Sequence, residues 1–242
     1  MVNNKVLILG GSGFIGKNLS KYLLKKDYEI TSTYFKKKYE ISKKIKYVQV
    51  NLKKPKEIKD KIRNNKFDFI INCAGYINHT NDFNKKNNAF NEHVEIAHSV
   101  INHFKNKEII RYINFGTSDE YGDSLSPQSE KQKNKPETLY ALSKTYTNLL
   151  LKKFWQKYKF PFVTLRLFLV YGPGQRKERL IPYIIKNSIK NKEYNIFGGN
   201  QIKDFCYIDD LCEAVTLSLK NNNVNGQTIN IASGKKTTIK KI

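Results

Sequence analysis

The sequence predicts an α/β fold, a doubly wound parallel sheet with a smaller second unit. Short apolar runs rich in β-branched residues alternate with longer lysine-rich amphipathic stretches, as strands and helices do in such a sheet. A glycine-rich turn over residues 10–16 also joins the apolar run 6–9 directly to the amphipathic stretch 17–24. These two observations predict a strand, a tight turn and a helix as the first unit of the fold.

The spacing of the glycines in this turn is typical of dinucleotide binding. Gly11, Gly13 and Gly16 fit the general pattern, and Gly10, Gly13 and Gly16 recur at every third residue. Glycine allows a sharp turn, a close approach of the backbone to a diphosphate, and close packing of helix on strand. The phosphates would lie at the helix N-terminus, where unpaired N–H groups and the macrodipole favour negative charge. The predicted contacts from this turn are Gly10, Gly13, Phe14, Ile15 and Gly16.

The end of the second predicted strand, residues 28–35, indicates which dinucleotide binds. A carboxylate at this position accepts hydrogen bonds from the adenosine ribose and repels a 2′-phosphate. Tyr34, Phe35 and Lys36 contain no acid, and Lys37 and Lys38 follow at once. We therefore predict NADP as the cofactor, with NAD as the alternative, and assign Tyr34, Lys36 and Lys37 to its binding.

Two further strands and a long helix follow. Residues 45–50 and 67–72 are predicted strands, and residues 88–104 are a predicted helix. The fourth strand leads into Ala74 and Gly75, small residues that would let a cofactor pass close to the backbone. The helix carries His93, His98 and His103, which lie five residues apart and so do not converge on one metal. These three, with His79, are interpreted as non-catalytic, and no metal is expected.

The fifth strand, residues 111–116, delivers Thr117 to the sheet edge at which open α/β sheets bind ligands. A loop marked by prolines leads to a helix that carries Tyr140 and Lys144, four residues apart on one face. A free phenol has a pKa of about 10, but a neighbouring ammonium and a nicotinamide cation both favour phenolate. Tyr140 could then carry the proton of a sugar hydroxyl, Lys144 could lower the pKa of Tyr140 and hold the ribose, and Thr117 could hydrogen-bond the substrate oxygen.

Composition limits the other functions. The 242 residues can form about one large domain, and the formal net charge is +23. Lysine supplies nearly all of this charge and is scattered along the chain, whereas arginine dominates surfaces that read bases. We expect no nucleic-acid partner, although a basic surface would steer anionic small substrates. No apolar stretch is long enough to span a membrane, and the cysteines at 73, 206 and 212 have no paired spacing, so we expect a cytoplasmic protein.

Five ordered motifs together resemble the NAD-dependent epimerase/dehydratase family, extended short-chain dehydrogenases that act on nucleotide sugars. The motifs are residues 10–16, residues 117–122, Tyr140 with Lys144, residues 165–174 and residues 203–210. The resemblance spans essentially the whole chain. It implies a Rossmann domain over residues 1–171 and a partial sugar-nucleotide cap over 172–242, with parts of the latter returning to the Rossmann domain.

The same resemblance implies partners and further site residues. The substrate would be a nucleoside-diphosphate sugar, and the helices at 88–104 and 140–158 could pair in a homodimer. Asn51, where the family usually has aspartate, would contact adenine, and Leu52 beside it is assigned to cofactor binding. Asp119, Arg176 and Lys203 would contact the substrate.

Departures from the family pattern narrow the expected reaction. The dehydratases of the family carry Asp-Glu after the threonine, whereas this sequence has Ser118 and Asp119. A serine therefore occupies the position of the acid that the dehydratases use. Leu169 replaces a substrate-binding asparagine, and Lys203 replaces an arginine. We expect a 4-keto-sugar reductase because of the NADP preference, with a 4-epimerase as the alternative and a 4,6-dehydratase third. A catalytically idle NADP-binding regulator is the alternative from another class.

The end of the sequence also carries an expectation. Residues 226–234 resemble the strand near the start of the family's last substrate-binding segment, and helices normally follow that strand. We therefore expect that the chain is a fragment whose cap is incomplete.

Overall fold

A computed structural model describes residues 4–62, 66–75, 89–191, 193–196 and 198–242. Seven parallel strands form the main sheet: β1 Lys5–Leu9, β2 Glu29–Tyr34, β3 Lys46–Gln49, β4 Phe69–Asn72, β5 Arg111–Thr117, β6 Phe162–Leu167 and β10 Thr228–Ile231. Two small ladders stand apart from it. The first pairs β7 Leu169–Tyr171 with β9 Phe205–Tyr207, and the second pairs β8 Ile202–Lys203 with β11 Thr237–Thr238.

Six α-helices connect these strands in the described part of the chain. They are α1 Phe14–Leu24, α2 Pro55–Ile62, α3 Ala89–Phe104, α4 Leu139–Tyr158, α5 Leu180–Ile189 and α6 Ile208–Lys220. Leu19 and Leu23 of α1 and Val215 of α6 pack on one face of the main sheet. Ile58 of α2 and Val100 of α3 belong to the core on the other face. Helices on both faces of a parallel sheet define the doubly wound α/β fold, so the predicted fold class is confirmed.

The order of the strands places the ligand site. The sheet runs β10-β6-β5-β4-β1-β2-β3, so the winding reverses between β1 and β4. At such a switch point the loops after two adjacent strands diverge and leave a crevice outside the carboxyl ends. Here the crevice lies between the glycine turn that follows β1 and residues 73–75 after β4.

The helix that carries Tyr140 begins where the sequence predicts it. Thr138 is the residue before α4, and its side-chain oxygen accepts a hydrogen bond from the backbone N–H of Ala141 at 3.1 Å. This cap satisfies one of the donors that the first helical turn leaves unpaired. Tyr140 is therefore held in the first turn of α4, at the end of the helix that faces the crevice.

Part of the C-terminal region contributes to the main sheet. Strand β10 pairs with β6, and α6 packs against α1 and β5. Asp204, between β8 and β9, accepts hydrogen bonds from the Ser233 N–H and hydroxyl and from the Gly234 N–H. These bonds tie the segment after β10 to the small ladders, and the division into domains at residue 171 stays a prediction. Within the described ranges no helix is long and apolar enough to cross a membrane.

Candidate active site

A cavity of about 590 Å³ opens at the switch point. Its walls come from the loops after β1, β4 and β5, from the first turns of α4, and from the stretch between β6 and α5. Ten of the residues predicted for the site line it: Gly13, Phe14, Ile15, Ala74, Gly75, Thr117, Asp119, Tyr140, Lys144 and Arg176. The sequence motifs thus meet in one place although they are far apart in the chain.

The glycine turn forms the floor of this cavity at the start of α1. The Gly13 N–H donates to the Gly10 carbonyl at 3.0 Å, and the Lys17 N–H donates to the Gly13 carbonyl to begin the helix. A Cβ on Gly16 would lie 2.7 Å from the Gly11 Cα and 2.8 Å from the Gly10 carbonyl oxygen, so this position admits only glycine without moving the turn. Gly13 has no side chain to cap α1, whose first turn contains no acid. Its N–H groups suit a diphosphate.

The end of β2 lies beside this turn. The Gly10 N–H donates to the Thr33 hydroxyl at 3.0 Å, and the Gly11 N–H donates to the Thr33 carbonyl at 2.8 Å. Tyr34 is half-buried, whereas Lys36 and Lys37 are exposed and lie outside the lining of the cavity. Glu40, the next acid along the chain, forms an ion pair with Lys38 at 2.8 Å. Free lysines and no free carboxylate therefore follow the strand that faces the adenosine ribose in this fold.

The residues predicted for the adenine lie at the end of β3, outside the cavity lining. The Asn51 side-chain oxygen accepts a hydrogen bond from the Lys53 N–H at 3.1 Å, which leaves the amide NH₂ group as the donor for a base. The Asn51 N–H donates to the Glu57 carboxylate at 3.0 Å, which fixes this turn to α2. Leu52 is buried in the core. The role of Asn51 at the adenine and of Leu52 in cofactor binding stays a prediction.

Three residues with complementary chemistry meet at the opposite side of the cavity. Tyr140 and Thr117 are each 8% exposed, and their side chains share a hydrogen bond. The Lys144 Nζ lies 5.8 Å from the centre of the Tyr140 ring, one helical turn further along α4. A hydroxyl, a phenol and an ammonium therefore surround one point, which is the set of groups that proton transfer to or from a substrate oxygen requires.

The charges around Tyr140 differ from the sequence-based expectation. Burial raises the pKa of Tyr140, and the Asp119 carboxylate raises it further, while the hydrogen bond from Thr117 and the charge of Arg179 lower it. The net result is a Tyr140 pKa above that of a free phenol, although the Lys144 ammonium lies close to the ring. Burial itself lowers the pKa of Lys144 to about 8, and the Glu120 carboxylate opposes that shift. The protein alone therefore keeps Tyr140 protonated, because desolvation of the phenolate outweighs the nearby cations.

The structure places the predicted substrate residues in two groups. Asp119 and Arg176 line the cavity, whereas Lys203 is exposed on β8 and lies outside the lining. Phe205 lines the cavity instead, two residues beyond Lys203. Arg179, the residue before α5, also lines it and was not predicted, because nothing in its local pattern separates it from the surrounding charged residues.

Sequence reasoning also missed His93. It is 4% exposed on α3, lines the cavity, and its Nδ1 lies 2.8 Å from the Ser143 hydroxyl. Its ring meets that of Tyr140 edge-on. The spacing of the histidines along the helix tested only for a shared metal, and contact with a residue on another helix leaves no such signal. His79 lies outside the described residues.

Comparison with known proteins places this site in a family. The pattern of the NAD dependent epimerase/dehydratase family matches residues 6–232. The chain belongs to this family. Its members are enzymes, and among the relatives are nucleotide-sugar 4-epimerases, 4,6-dehydratases and a 4-keto-sugar reductase.

Three relatives show how far the similarity to other family members extends. A dTDP-D-glucose 4,6-dehydratase of Dictyostelium discoideum is 25% identical over 95% of this chain, which spans 58% of that protein. A dTDP-4-dehydro-6-deoxyglucose reductase of Escherichia coli is 29% identical over 99% of this chain and 79% of its own length. The UDP-glucuronic acid 4-epimerase of Bacillus cereus, crystallised with UDP-glucuronic acid and NAD, has a TM-score of 0.85 at 24% identity over 97% of this chain and 79% of that one. This last likeness shows a shared fold.

Proposed function

We propose that this chain binds NADPH and reduces the 4-keto group of a nucleoside-diphosphate sugar. The observation that carries the proposal is the meeting of Thr117, Tyr140 and Lys144 in one cavity, at the switch point where the glycine turn would hold the cofactor diphosphate. The nicotinamide cofactor supplies or accepts the hydride when bound. The chain's own residues manage the oxygen and its proton.

The roles follow from the geometry around Tyr140. In the reductive direction a hydride adds to the C4 carbonyl carbon, and the oxygen gains a proton to become a hydroxyl. Tyr140 donates that proton, and the Thr117 hydroxyl hydrogen-bonds the same oxygen. Lys144 stabilises the phenolate that Tyr140 becomes, until solvent returns a proton.

The protonation state of Tyr140 supports the reductive direction. Burial and the Asp119 carboxylate raise the pKa of Tyr140, so the neutral phenol is the resting form. A neutral phenol is the form that donates a proton to a ketone. The alcohol oxidation that starts an epimerase or dehydratase cycle instead needs the phenolate first.

The residues after Thr117 do not favour the elimination of water that a 4,6-dehydratase carries out. Ser118 lines the cavity where the dehydratases of the family carry an acidic side chain. A serine hydroxyl is a far weaker acid than a carboxyl group and cannot protonate a leaving hydroxide at neutral pH. Asp119, which also lines the cavity, remains as a base without its acid partner.

The second candidate is a nucleotide-sugar 4-epimerase. The likeness in fold to the Bacillus cereus 4-epimerase favours it, as does a set of three residues that serves both reactions. An epimerase keeps its cofactor bound and returns the hydride to the other face of the sugar, so it consumes none. A reductase exchanges the cofactor in each turnover.

One assay distinguishes these functions. Purified protein is mixed with NADPH and a panel of nucleoside-diphospho-4-keto-6-deoxyhexoses, and separately with nucleoside-diphospho-hexoses without added cofactor; absorbance at 340 nm is followed while the sugar products are separated. Oxidation of NADPH in proportion to the added keto sugar supports the reductase. Interconversion of two hexose epimers without net consumption of cofactor assigns the 4-epimerase. Binding of NADPH without conversion of any sugar indicates the idle regulator.

We also propose that the protein is a homodimer that pairs through α3 and α4. Leu142, Tyr146 and Leu149 are exposed on α4 with the spacing of one helical face. An apolar stripe of this kind on a helix is more stable when covered by a second copy. Sedimentation analysis of the protein and of Leu149→Lys should show a dimer and a monomer, respectively.

A further inference from the structure

A buried ion pair lies directly beneath Thr117. Glu120 belongs to the 3-10 turn Ser118–Tyr121 that follows β5, and Arg166 lies on β6. The Arg166 Nη2 donates to the Glu120 Oε2 at 2.9 Å, and the two side chains are 3% and 0% exposed. Buried charges are costly, so a pair of this kind in a small domain calls for an explanation.

The carboxylate of Glu120 is shared between the ion pair and the backbone of the site. Its Oε1 accepts a hydrogen bond from the Thr117 N–H at 2.9 Å, while its Oε2 accepts from Arg166. Gly116 makes this approach possible, because a Cβ there would lie 2.5 Å from the Glu120 Oε1. The Thr117 hydroxyl in turn accepts from the Asp119 N–H at 3.3 Å. Glu120 thus holds the residue whose hydroxyl contacts Tyr140.

Arg166 is committed to Glu120. Its guanidinium lies 4.4 Å from the centre of the Tyr121 ring, and its Nη2 also donates to the Asn134 side-chain oxygen at 3.0 Å. Within the described ranges, Glu120 is the one carboxylate at ion-pair distance from Arg166, and the Arg166 Nε and Nη1 have no hydrogen-bond partner. The net effect of the pair on α4 therefore depends on where each of its two charges lies.

The negative end of the pair faces the reacting groups. Helix α4 packs against the 3-10 turn, and the Glu120 carboxylate acts on Lys144 in the direction opposite to burial. The other charged or titratable groups around this point are Cys73 after β4, His93 on α3, Asp119 on the turn, Tyr140 on α4 and Arg179 before α5. Asp119 is the one carboxylate in the cavity lining of the described chain, and the carboxylates of Asp119 and Glu120 both raise the pKa of Tyr140.

We propose that Glu120 is a positioning residue of this site: its buried carboxylate, paired with Arg166, fixes the Thr117 backbone and supplies a negative charge in the turn that packs against α4. The inference deepens the proposed function and, for its effect on turnover, depends on it. Arg166 keeps the carboxylate ionised and in place. A neutral residue at position 120 would leave Lys144 to the desolvation of its buried site, and the ammonium would be lost at a lower pH.

The test measures Lys144 directly and needs no substrate. Apo protein is labelled briefly with a trace of acetic anhydride at a series of pH values, and mass spectrometry reports the reactivity of Lys144. The inflection marks the pH at which its ammonium loses a proton. In Glu120→Gln, which keeps an acceptor for the Thr117 N–H but removes the charge, we expect the inflection to fall by at least about half a unit. An unchanged inflection would overturn the inference.

Two further variants separate the effect of the Glu120 charge from that of its side-chain length. Glu120→Asp keeps the charge but is one methylene too short to reach the Thr117 N–H, so the Lys144 inflection should stay near that of the wild type while kcat falls. Glu137→Gln makes the same chemical change as Glu120→Gln at an exposed position three residues before Tyr140 and should leave the inflection unchanged. A shift of equal size in Glu137→Gln would contradict a specific role for Glu120.

Folding and function are controlled separately. If Glu120→Gln fails to fold because Arg166 is left unpaired, the double variant Glu120→Gln/Arg166→Met removes both buried charges, and it should show the same lowered inflection. If the wild type converts no sugar while Glu120→Gln still lowers the inflection, the proposed function fails and the electrostatic role of Glu120 stands. If the wild type converts sugar but the inflection does not move in Glu120→Gln or in the double variant, the proposed function stands and the electrostatic role of Glu120 fails.

Discussion

The rings of His93 and Tyr140 meet edge-on, with 5.6 Å between their centres and an angle of 64° between their planes. The His93 Nδ1 is also 2.8 Å from the Ser143 hydroxyl, which donates to the Tyr140 carbonyl at 2.6 Å. His93 therefore touches the ring of Tyr140 and is linked through one hydroxyl to its backbone. A histidine on α3 thus holds the orientation of the phenol on α4.

This contact predicts the effect of His93→Ala. Loss of the ring should let Tyr140 sample other orientations and lower kcat by about 10- to 100-fold, because small misplacements of a reacting group are costly. The affinity for NADPH, measured by fluorescence titration, should change little. His98→Ala provides the control, since His98 is exposed on the same helix. Equal losses in both variants would point to damage to α3 rather than to the site.

Tyr140→Phe tests the proton carrier itself. The variant keeps the ring and its contact with His93 but removes the hydroxyl that would protonate the substrate oxygen. We expect turnover to fall by at least about 100-fold, the usual size of a general acid–base contribution, with cofactor affinity almost intact. A variant that kept more than about a tenth of the wild-type rate would rule out this role for Tyr140.

The pKa of Lys144 predicts a pH dependence. Burial lowers it to about 8, so the ammonium that stabilises the Tyr140 phenolate is lost as the pH rises through about 8, and kcat should fall there. Stability should change in the opposite sense. An unfolded lysine has a pKa of about 10.4 and holds its proton over the window from about 8 to that value, so the contribution of Lys144 to stability rises with pH across it.

The variant Lys144→Arg tests whether the fall in kcat above about pH 8 is due to Lys144. A guanidinium stays charged over the whole range, so the decline in kcat near pH 8 should disappear even if the maximal rate is lower. The measurements are pH profiles of kcat for both proteins and urea unfolding of the wild type at pH 7.5 and 9.5. A decline that persists in Lys144→Arg belongs to another group.

The choice of cofactor is tested at the end of β2. NADPH should bind more tightly than NADH, and the margin should shrink with added salt, because Lys36 and Lys37 are exposed. In Lys36→Glu/Lys37→Glu the preference should reverse, since carboxylates repel the 2′-phosphate and accept hydrogen bonds from the ribose. Lys43→Glu/Lys44→Glu changes the net charge equally at exposed positions further along and should keep the preference. NADH binding as tightly as NADPH to the wild type would refute the prediction.

Much of the fold could be predicted because its signals are local. The first five predicted strands and the helix predicted over residues 88–104 are present within one or two residues of their expected bounds. Apolar periodicity predicts them because it reports which short segments are buried. Strand β10 was less accessible to prediction. Residues 226–234 were expected to contain a strand near the start of a substrate-binding segment, and β10 lies there, but its pairing with β6 in the main sheet was not predicted. Pairing between strands more than sixty residues apart is set by the packing of both on the same core, which no local pattern records.

The sequence by itself determined the glycine turn and the order of strands and helices. It also determined that Thr117 ends its strand and that Tyr140 and Lys144 lie in the first two turns of their helix, because each of these features depends on neighbours a few residues away. The tertiary structure alone decided that His93 supports Tyr140, that Arg179 reaches the cavity, and that Glu120 pairs with Arg166, which lies 46 positions further along the chain. Such contacts depend on how helices and strands are laid over the sheet. Burial then gives each contact its strength, because the same charges in water would interact only weakly.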